Sequence, residues 1–502
     1  MPTESRKITL AAVATLYLLA ALWFWSNDLV PGDSASRIAN AYYTIFSRDP
    51  HLAAIGFVWN PLPSLILLPF LPLSLLFPAL TQQGLLVVLV SAALMTAVVA
   101  VGHDILRRSG VERTPRLLLT AALALHPMIV IYAGNGMSEA CFLLCLMLAV
   151  RALTIWLAEG RPESLVPLGL ALGLAYGARY EALAPVAAVP VLVFLVSWWR
   201  TRDRATARTD AVIAALPGVL AVVLWALASK LIVGQWFATF SSQYGNSAQV
   251  SANAGGIASV TGADLSARLA YGFQQMFGLA PFLLLLLVAA LVVARRRRDP
   301  MVLAPVAVFG SVLAFDVLAF LSGTSFGWLR FHIAVVPLAV LLAGHLLAGA
   351  RPRTPVLVAV LAAVLVAVPS SLVTLSRPQL AREESEWFTT AGAARTRGLA
   401  QVNRRVAADL DRLGLGEGAV LTDAAYAFGV VLASDNPDQF VITPDRDFPA
   451  ALADPAGHGV RYLLLSARGS ADAVRKRFGP GTGERAWHDT AGNLQWTLVP
   501  IR

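Results

Sequence analysis

The stretch NPLPSLILLPFLPLSLLFPAL, Asn60–Leu80, decides the fold because it is apolar enough to cross a membrane but is interrupted by proline. A membrane helix needs about 20 apolar residues, since it rises about 1.5 Å per residue across about 30 Å of hydrocarbon. Each proline removes a backbone N–H donor and interrupts the helix. Lipid offers no hydrogen-bond partner to the backbone groups that are left unpaired. The prolines are Pro61, Pro63, Pro69, Pro72 and Pro78. We therefore predict a broken re-entrant or interfacial element here.

The composition around this stretch is typical of a polytopic membrane protein. Of 502 residues, 57% are hydrophobic and only 14% are charged, which excludes a soluble protein of this size. The net charge of +9 does not indicate nucleic acid binding, because the arginines form short runs between apolar segments, as in cytoplasmic loops. Lysine is rare among the basic residues, which suggests a GC-rich bacterial genome. The lipid bilayer of a bacterial cytoplasmic membrane is the expected partner, and no nucleic acid is expected.

The basic loops test the number of crossings. Basic residues near membrane helices favour the cytoplasm, and the clusters share one side only if 60–80 does not cross. About eleven transmembrane helices then remain, with the N-terminus cytoplasmic and the C-terminus extracytoplasmic. If 60–80 did cross, every later loop would change sides and the clusters would violate the rule. The clusters are Arg6 and Lys7; Arg107, Arg108, Arg113 and Arg116; Arg161; Arg200, Arg202, Arg204 and Arg208; Arg295–Arg298; Arg351 and Arg353.

This topology divides the chain into outer segments and two domains. The predicted outer segments are 27–83, 134–138, 179–181, 234–276, 322–328 and everything after about 376. We predict a transmembrane domain at 1–376 and a soluble extracytoplasmic α/β domain at 377–502. In the second domain, GAVLTD, QFVIT and VRYLLL alternate with helical stretches, and a hairpin is expected around AGN.

Ionisable residues recur in the outer segments. Each costs about 2.5–3.5 kcal/mol near the centre of a membrane helix, so several at one depth indicate a polar cavity. For any single residue, snorkelling to the interface is the alternative. A carboxylate could be a base or hold a metal, and guanidinium groups match phosphate oxygens. Such a cavity suits sugar transfer from a lipid phosphate: the carboxylate accepts a proton and the arginines stabilise the departing phosphate. The residues are Asp33, Arg37, Glu139, Arg179, Tyr180, Glu181 and Arg330.

Five motifs in this order resemble the GT-C glycosyltransferases, in particular the bacterial branch near the protein O-mannosyltransferases and aminoarabinose transferases. The motifs are GDSASR (32–37), VWNPLPSLILLP (58–69), HPMIVIYAGNGMSEACFLL (126–144), GLALGLAYGARYEAL (169–183) and WLRFHIAVVPL (328–338). The resemblance covers most of residues 8–350. It implies a GT-C-like transmembrane domain that inverts the anomeric centre of a sugar carried on polyprenyl phosphate.

The resemblance also implies roles for individual residues. Asp33 matches the catalytic base and Glu139 the acidic residue of the second outer loop. Arg37 and Arg330 match arginines at the donor phosphate, and we add Arg179 to them. Many relatives have two adjacent acids in the first loop, whereas Ser34 follows Asp33 here. No cofactor is therefore assigned, and a divalent cation is left open. Residues expected to bind substrate are Tyr180, Glu181, Trp59, Asn60, His51 and His332.

The leading hypothesis is a membrane hexosyl- or pentosyltransferase acting on a glycan, lipid or protein acceptor outside the cytoplasm. A transporter or flippase of a lipid-linked glycan is the alternative. Transporters usually place polar groups near the midplane between two related halves, whereas these groups gather at one face. An assembly or acceptor-binding protein with a decayed site is a third possibility.

Overall fold

The computed structural model describes residues 2–262, 264–349, 354–467, 469, 471–480, 483 and 485–501. These residues form a helical bundle with a small sheet near the C-terminus, as predicted. Eight helices are long and apolar enough to span a membrane, or up to ten if each bent pair is one span. The eight are Lys7–Ser26, Leu85–Arg108, Glu139–Glu159, Tyr180–Thr201, Arg204–Val233, Pro300–Leu321, Leu329–Leu347 and Thr354–Leu375. The bent pairs are Arg113–Leu125 with Pro127–Gly134 and Leu265–Leu279 with Leu283–Arg297.

A further apolar helix of the bundle, Leu165–Ala178, has only 14 residues. It packs closely against Arg204–Val233 through glycine. A Cβ atom at Gly169 would lie 2.7 Å from the Ala214 carbonyl oxygen, and one at Gly173 would lie 2.9 Å from that of Pro217. Small residues at such a contact allow two backbones to approach in lipid. This helix is therefore an integral part of the bundle, although it is shorter than a full span.

The proline-rich stretch is broken, as predicted. It forms the helix Leu62–Leu67, the 3₁₀ helix Leu68–Leu75 and the short helix Ala79–Gln82. At its start, Asn60 Nδ2 donates to the Tyr176 carbonyl oxygen at 2.5 Å, beside the cavity described below. At its end, Gln82 Nε2 donates to Asp435 Oδ1 at 3.1 Å. Both ends thus lie at the end of the bundle that carries the sheet, and the element enters and leaves on one side.

The described residues form a sheet of five strands: β1 Val420–Thr422, β2 Phe440–Ile442, β3 Tyr462–Ser466, β4 Arg485–His488 and β5 Leu494–Pro500. Their order in the sheet is β2-β1-β3-β5-β4. Strand β1 is parallel to β2 and β3, whereas β5 is antiparallel to β3 and β4. Strands β4 and β5 form the hairpin predicted around AGN. The helices of this part are Ser385–Phe388, Thr390–Asp411, Ala424–Ala433, Phe448–Ala453 and Ala473–Phe478.

The two ends of the bundle differ in charge and in contacts. At one end, Asp104 pairs with Arg107, Arg108 and Arg151. Arg297 at the same end donates to the Ala348 carbonyl oxygen, and Ala348 bridges to Val111. Arg351 and Arg353, predicted for this end, lie outside the described residues. At the other end, the first loop pairs with the sheet-bearing part through Arg48 with Asp445 and Asp447, Arg446 with Asp49, and Arg404 with Asp28.

The outer segment 234–276 is more ordered than its composition indicates. Most of the segment is helical: Ala238–Ser241, Asn246–Ala252, Ala254–Thr261 and the start of Leu265–Leu279. Tyr244 joins it to the sheet by donating to Asp423 Oδ2 at 2.5 Å. Asp423 also accepts from Thr443 and from the Ala473 amide, so its role in the fold is structural.

Candidate active site

A cavity opens where the six predicted outer segments meet. Its empty volume is about 600 Å³, which includes open solvent at its mouth. Five of the outer segments line it directly, and the sixth, after residue 376, supplies Glu383 beside it. The lining residues are Asp33, Arg37, Val58, Trp59, Asn60, Ser138, Ala178, Arg179, Tyr180, Glu181, Thr239, Asn246, Gln249, Phe326, Trp328, Arg330 and Phe331.

Asp33 is the most accessible acid of this group. It lies in the first turn of the helix Gly32–Phe46, which Ser34 fixes by donating to the Asn135 carbonyl oxygen at 2.9 Å. Arg330 Nη1 and Nη2 both donate to Asp33 Oδ2 at 3.2 Å. The Asp33 side chain is 30% exposed, whereas that of Arg330 is 5% exposed. One carboxylate edge is therefore held by Arg330 and the rest faces the cavity.

Arg179 is neutralised by two buried acids. Its Nη1 bonds to Glu139 Oε1, and its Nη2 and Nε bond to Glu181 Oε1. Glu139 begins the helix Glu139–Glu159, and Arg179 lies between the helix Leu165–Ala178 and the next span. Glu139 Oε1 also lies 3.8 Å from Arg330 Nε. Glu139 thus connects the two paired arginines and is itself buried.

Arg37 differs from both other arginines. Its side chain is buried and its Nη2 donates to Ser138 Oγ at 3.2 Å, but Nε and Nη1 have no hydrogen-bond partner in the described part of the chain. The guanidinium lies 5.1 Å from the centre of the Trp59 ring. Asp33 and Glu139 attract this charge without bonding to it, so burial of the guanidinium is only partly offset within the described part of the chain.

Aromatic side chains and amides complete the cavity. Phe326 and Trp328 stack with ring centres 4.3 Å apart, and Phe331 continues the wall at 5.8 Å from Trp328. Trp328 also lies under the Arg330 guanidinium at 4.6 Å. The amides of Asn60, Asn246 and Gln249 are at the lining. Flat apolar faces beside hydrogen-bonding amides can accommodate a ligand that has both apolar and hydroxyl-bearing faces.

The structure brings together most of the residues singled out from the sequence, with two exceptions. His51 does not line the cavity; its Nδ1 lies 2.7 Å from the Asp49 carbonyl oxygen, next to the sheet-bearing part. His332 is buried away from the lining, and neither ring nitrogen has a hydrogen-bond partner among the described residues. In the 3₁₀ helix Leu329–His332, the residues that reach the cavity are Arg330 and Phe331.

Several cavity residues were not singled out from the sequence. The clearest is Glu383, whose Oε2 lies 3.1 Å from Arg330 Nε. Its neighbour Glu384 accepts from the Tyr132 hydroxyl at 2.7 Å. Adjacent acids directly after the last span were the only sequence signal for them. Others are Ser138, Thr239, Asn246, Gln249, Phe326, Trp328 and Phe331.

No group of three or more His, Cys, Asp or Glu side chains among the described residues is arranged to hold a metal ion. The carboxylates nearest the cavity face guanidinium groups instead. The sequence left open whether a divalent cation binds, and we assign no residues to one.

No protein-family model matches the chain, and no curated protein matches it. Among solved structures that resemble it is the S. cerevisiae protein O-mannosyltransferase Pmt1-Pmt2 complex bound to the sugar donor, with 17% identity and a TM-score of 0.33 over 47% of this chain. The chain spans only 35% of that protein's length. Another is the archaeal oligosaccharyltransferase AglB from Archaeoglobus fulgidus in complex with an inhibitory peptide and a dolichol-phosphate, with 10% identity and a TM-score of 0.44 over 100% of this chain and 77% of that one. Function must therefore be inferred from the cavity itself.

Proposed function

We propose that this chain is an inverting glycosyltransferase that moves a monosaccharide from a polyprenyl-phosphate donor to an acceptor hydroxyl. The acceptor is a cell-envelope glycan, a glycolipid or a protein. The reaction takes place at the sheet-bearing end of the bundle, and we assign that end to the extracytoplasmic side because the arginine clusters lie at the other end.

The observation that carries the proposal is the buried guanidinium of Arg37 in the wall of the cavity, within 5.1 Å of the Trp59 ring, because its Nε and Nη1 have no hydrogen-bond partner among the described residues. Hydrogen bonds from a guanidinium to a phosphate are charge-assisted and therefore strong. We assign the donor phosphate to Arg37, with Arg330, which bonds to Asp33, as the second arginine that faces it.

Asp33 is the proposed base. Its exposed edge accepts the proton of the acceptor hydroxyl while the hydroxyl oxygen forms a bond to the anomeric carbon. The bond from that carbon to the phosphate oxygen breaks, and the phosphate leaves with the electron pair. Arg37 and Arg330 stabilise the charge that develops on it. A single displacement of this kind inverts the anomeric centre.

The other residues support this step from a distance or contact the sugar. We assign Glu139 to positioning, because its carboxylate is buried and contacts arginines. Arg179 and Glu181 form the same buried network, which fixes the cavity wall beside Tyr180. Trp59, Asn60 and Tyr180 are the proposed sugar contacts. No contact with substrate is proposed for His51 or His332.

Purified protein supplied with polyprenyl-phosphate monosaccharides tests the proposal. The wild type should transfer sugar from at least one of them to an acceptor, with inverted anomeric configuration in the product. Asp33→Asn should lower the rate by about 10²–10⁴-fold, as for loss of a general base, and leave the folded protein unchanged in size-exclusion chromatography. A flippase would move labelled lipid across proteoliposomes without forming product, and that result would contradict the proposal.

A further inference from the structure

Glu383 has no part in the function as proposed so far, yet it contacts a cavity arginine. It lies between the last apolar helix, Thr354–Leu375, and the helix Ser385–Phe388. Its Oε2 is 3.1 Å from Arg330 Nε, whereas the terminal nitrogens Nη1 and Nη2 bond to Asp33. The Glu383 contact is an ion pair and not an aligned hydrogen bond. The guanidinium is thus shared between an acid facing the cavity and an acid behind it.

The segment that carries Glu383 is held firmly in place. Trp387 is buried against Phe24 and Tyr132, with ring centres 5.8 and 6.2 Å away. Tyr132 in turn donates to Glu384 at 2.7 Å. Glu383 therefore faces Arg330 because of packing between the start of the sheet-bearing part and two membrane helices.

We infer that Glu383 is a positioning residue that offsets part of the positive charge of Arg330, so that Arg330 holds Asp33 less tightly and the phosphate product can leave. This inference rests on the proposed function. Without Glu383, Arg330 would have Asp33 and the more distant Glu139 as acidic partners. Arg330 would then attract Asp33 and any phosphate in the cavity more strongly.

The surrounding charges determine how large this effect is. The charged groups facing the Asp33–Arg330 pair are Arg37, Glu139, Arg179, Glu383 and Glu384. Burial raises the pKa of Glu383, and the positive charge of Arg330 acts against this shift. Only the ionised form of Glu383 attracts the Arg330 guanidinium as a charge. The effect of Glu383 on Arg330 is therefore largest at alkaline pH.

The test compares Glu383→Gln with the adjacent control Glu384→Gln in the full-length protein, at about pH 8. Glu384 is also buried and acidic, but it bonds to Tyr132 rather than to Arg330. Glu383→Gln should lower kcat, lower the donor KM and move the acidic limb of the pH profile of kcat/KM by roughly one unit toward lower pH. Glu383→Asp, which keeps the charge, should restore part of kcat. Glu384→Gln should move the profile less than Glu383→Gln does, because Glu384 bonds to Tyr132 and Glu383 is the one that contacts Arg330.

Equal pH profiles for the Glu383→Gln and Glu384→Gln variants would overturn the inference, as would a raised donor KM in Glu383→Gln. A measurement of polyprenyl phosphate binding distinguishes failure of the Glu383 inference from failure of the proposed function. If the wild type transfers no sugar, the proposed function fails, but Glu383→Gln should still bind polyprenyl phosphate about tenfold more tightly than the wild type and Glu384→Gln. Equal or weaker binding would refute the role of Glu383 independently of catalysis.

Discussion

Replacing Arg37 by methionine should weaken donor binding without weakening the fold. Its Nε and Nη1 have no partner in the described part of the chain, so the substitution breaks one bond, to Ser138, and removes a buried charge. A hydrogen bond to a charged group contributes about 1.5–3 kcal/mol. Losing one such bond to phosphate corresponds to roughly 10- to 150-fold weaker binding, at about 1.4 kcal/mol per factor of ten.

The matched control is Arg179→Met, which removes the same charge from the same cavity. Arg179 bonds to Glu139 and Glu181, so its loss leaves two buried acids without their main partner. Breaking a buried ion pair from one side costs about 3–5 kcal/mol. Titration with polyprenyl phosphate and thermal unfolding in the same detergent measure both effects. Arg37→Met should lose affinity at an unchanged or higher melting temperature, whereas Arg179→Met should melt earlier. Wild-type affinity in Arg37→Met, or a melting temperature as low as that of Arg179→Met, would refute the reasoning.

Two further predictions concern the parts that surround the cavity. Tyr244→Phe should raise the donor KM several-fold and speed proteolysis within 234–276, because the bond to Asp423 holds the segment carrying Asn246 and Gln249; unchanged cleavage would contradict this. Burial raises the pKa of Asp472 to about 6 from 3.8, so the folded state binds the extra proton. Stability of the sheet-bearing part should therefore fall by up to about 3 kcal/mol as pH rises from about 4 to about 6. Asp472→Asn should flatten this dependence in denaturant unfolding monitored by tryptophan fluorescence, and an equally steep curve in that variant would contradict the assignment.

The sequence predicted the arrangement of the bundle because two rules act over its whole length. Proline breaks 60–80 regardless of tertiary context, and the positions of the arginine runs then determine which loops share an end. Together they predicted that Asp33, Arg37, Arg179 and Arg330 would lie close together, and the structure places all four at one cavity. This prediction depended only on the number of membrane crossings, which determines the loops that share an end of the bundle.

Contacts that depend on packing could not be predicted in this way. Glu383 reaches Arg330 because Trp387 docks against Phe24 and Tyr132, which no local pattern records. The sequence also does not indicate that Arg37 bonds to Ser138 and not to a carboxylate, because that depends on the positions of single side-chain atoms. The helices within 234–276 were not predicted because Gly, Ser and Asn, which are weak helix formers, recur between the alanines of that segment.

An experimental structure of the protein in lipid nanodiscs with bound polyprenyl phosphate would test the central claim most directly. We expect the phosphate to lie within hydrogen-bonding distance of Arg37 Nε or Nη1, with Asp33 facing the open space where an acceptor would attack. A phosphate bound at another surface of the bundle, or an Arg37 guanidinium paired with a carboxylate in that structure, would contradict it.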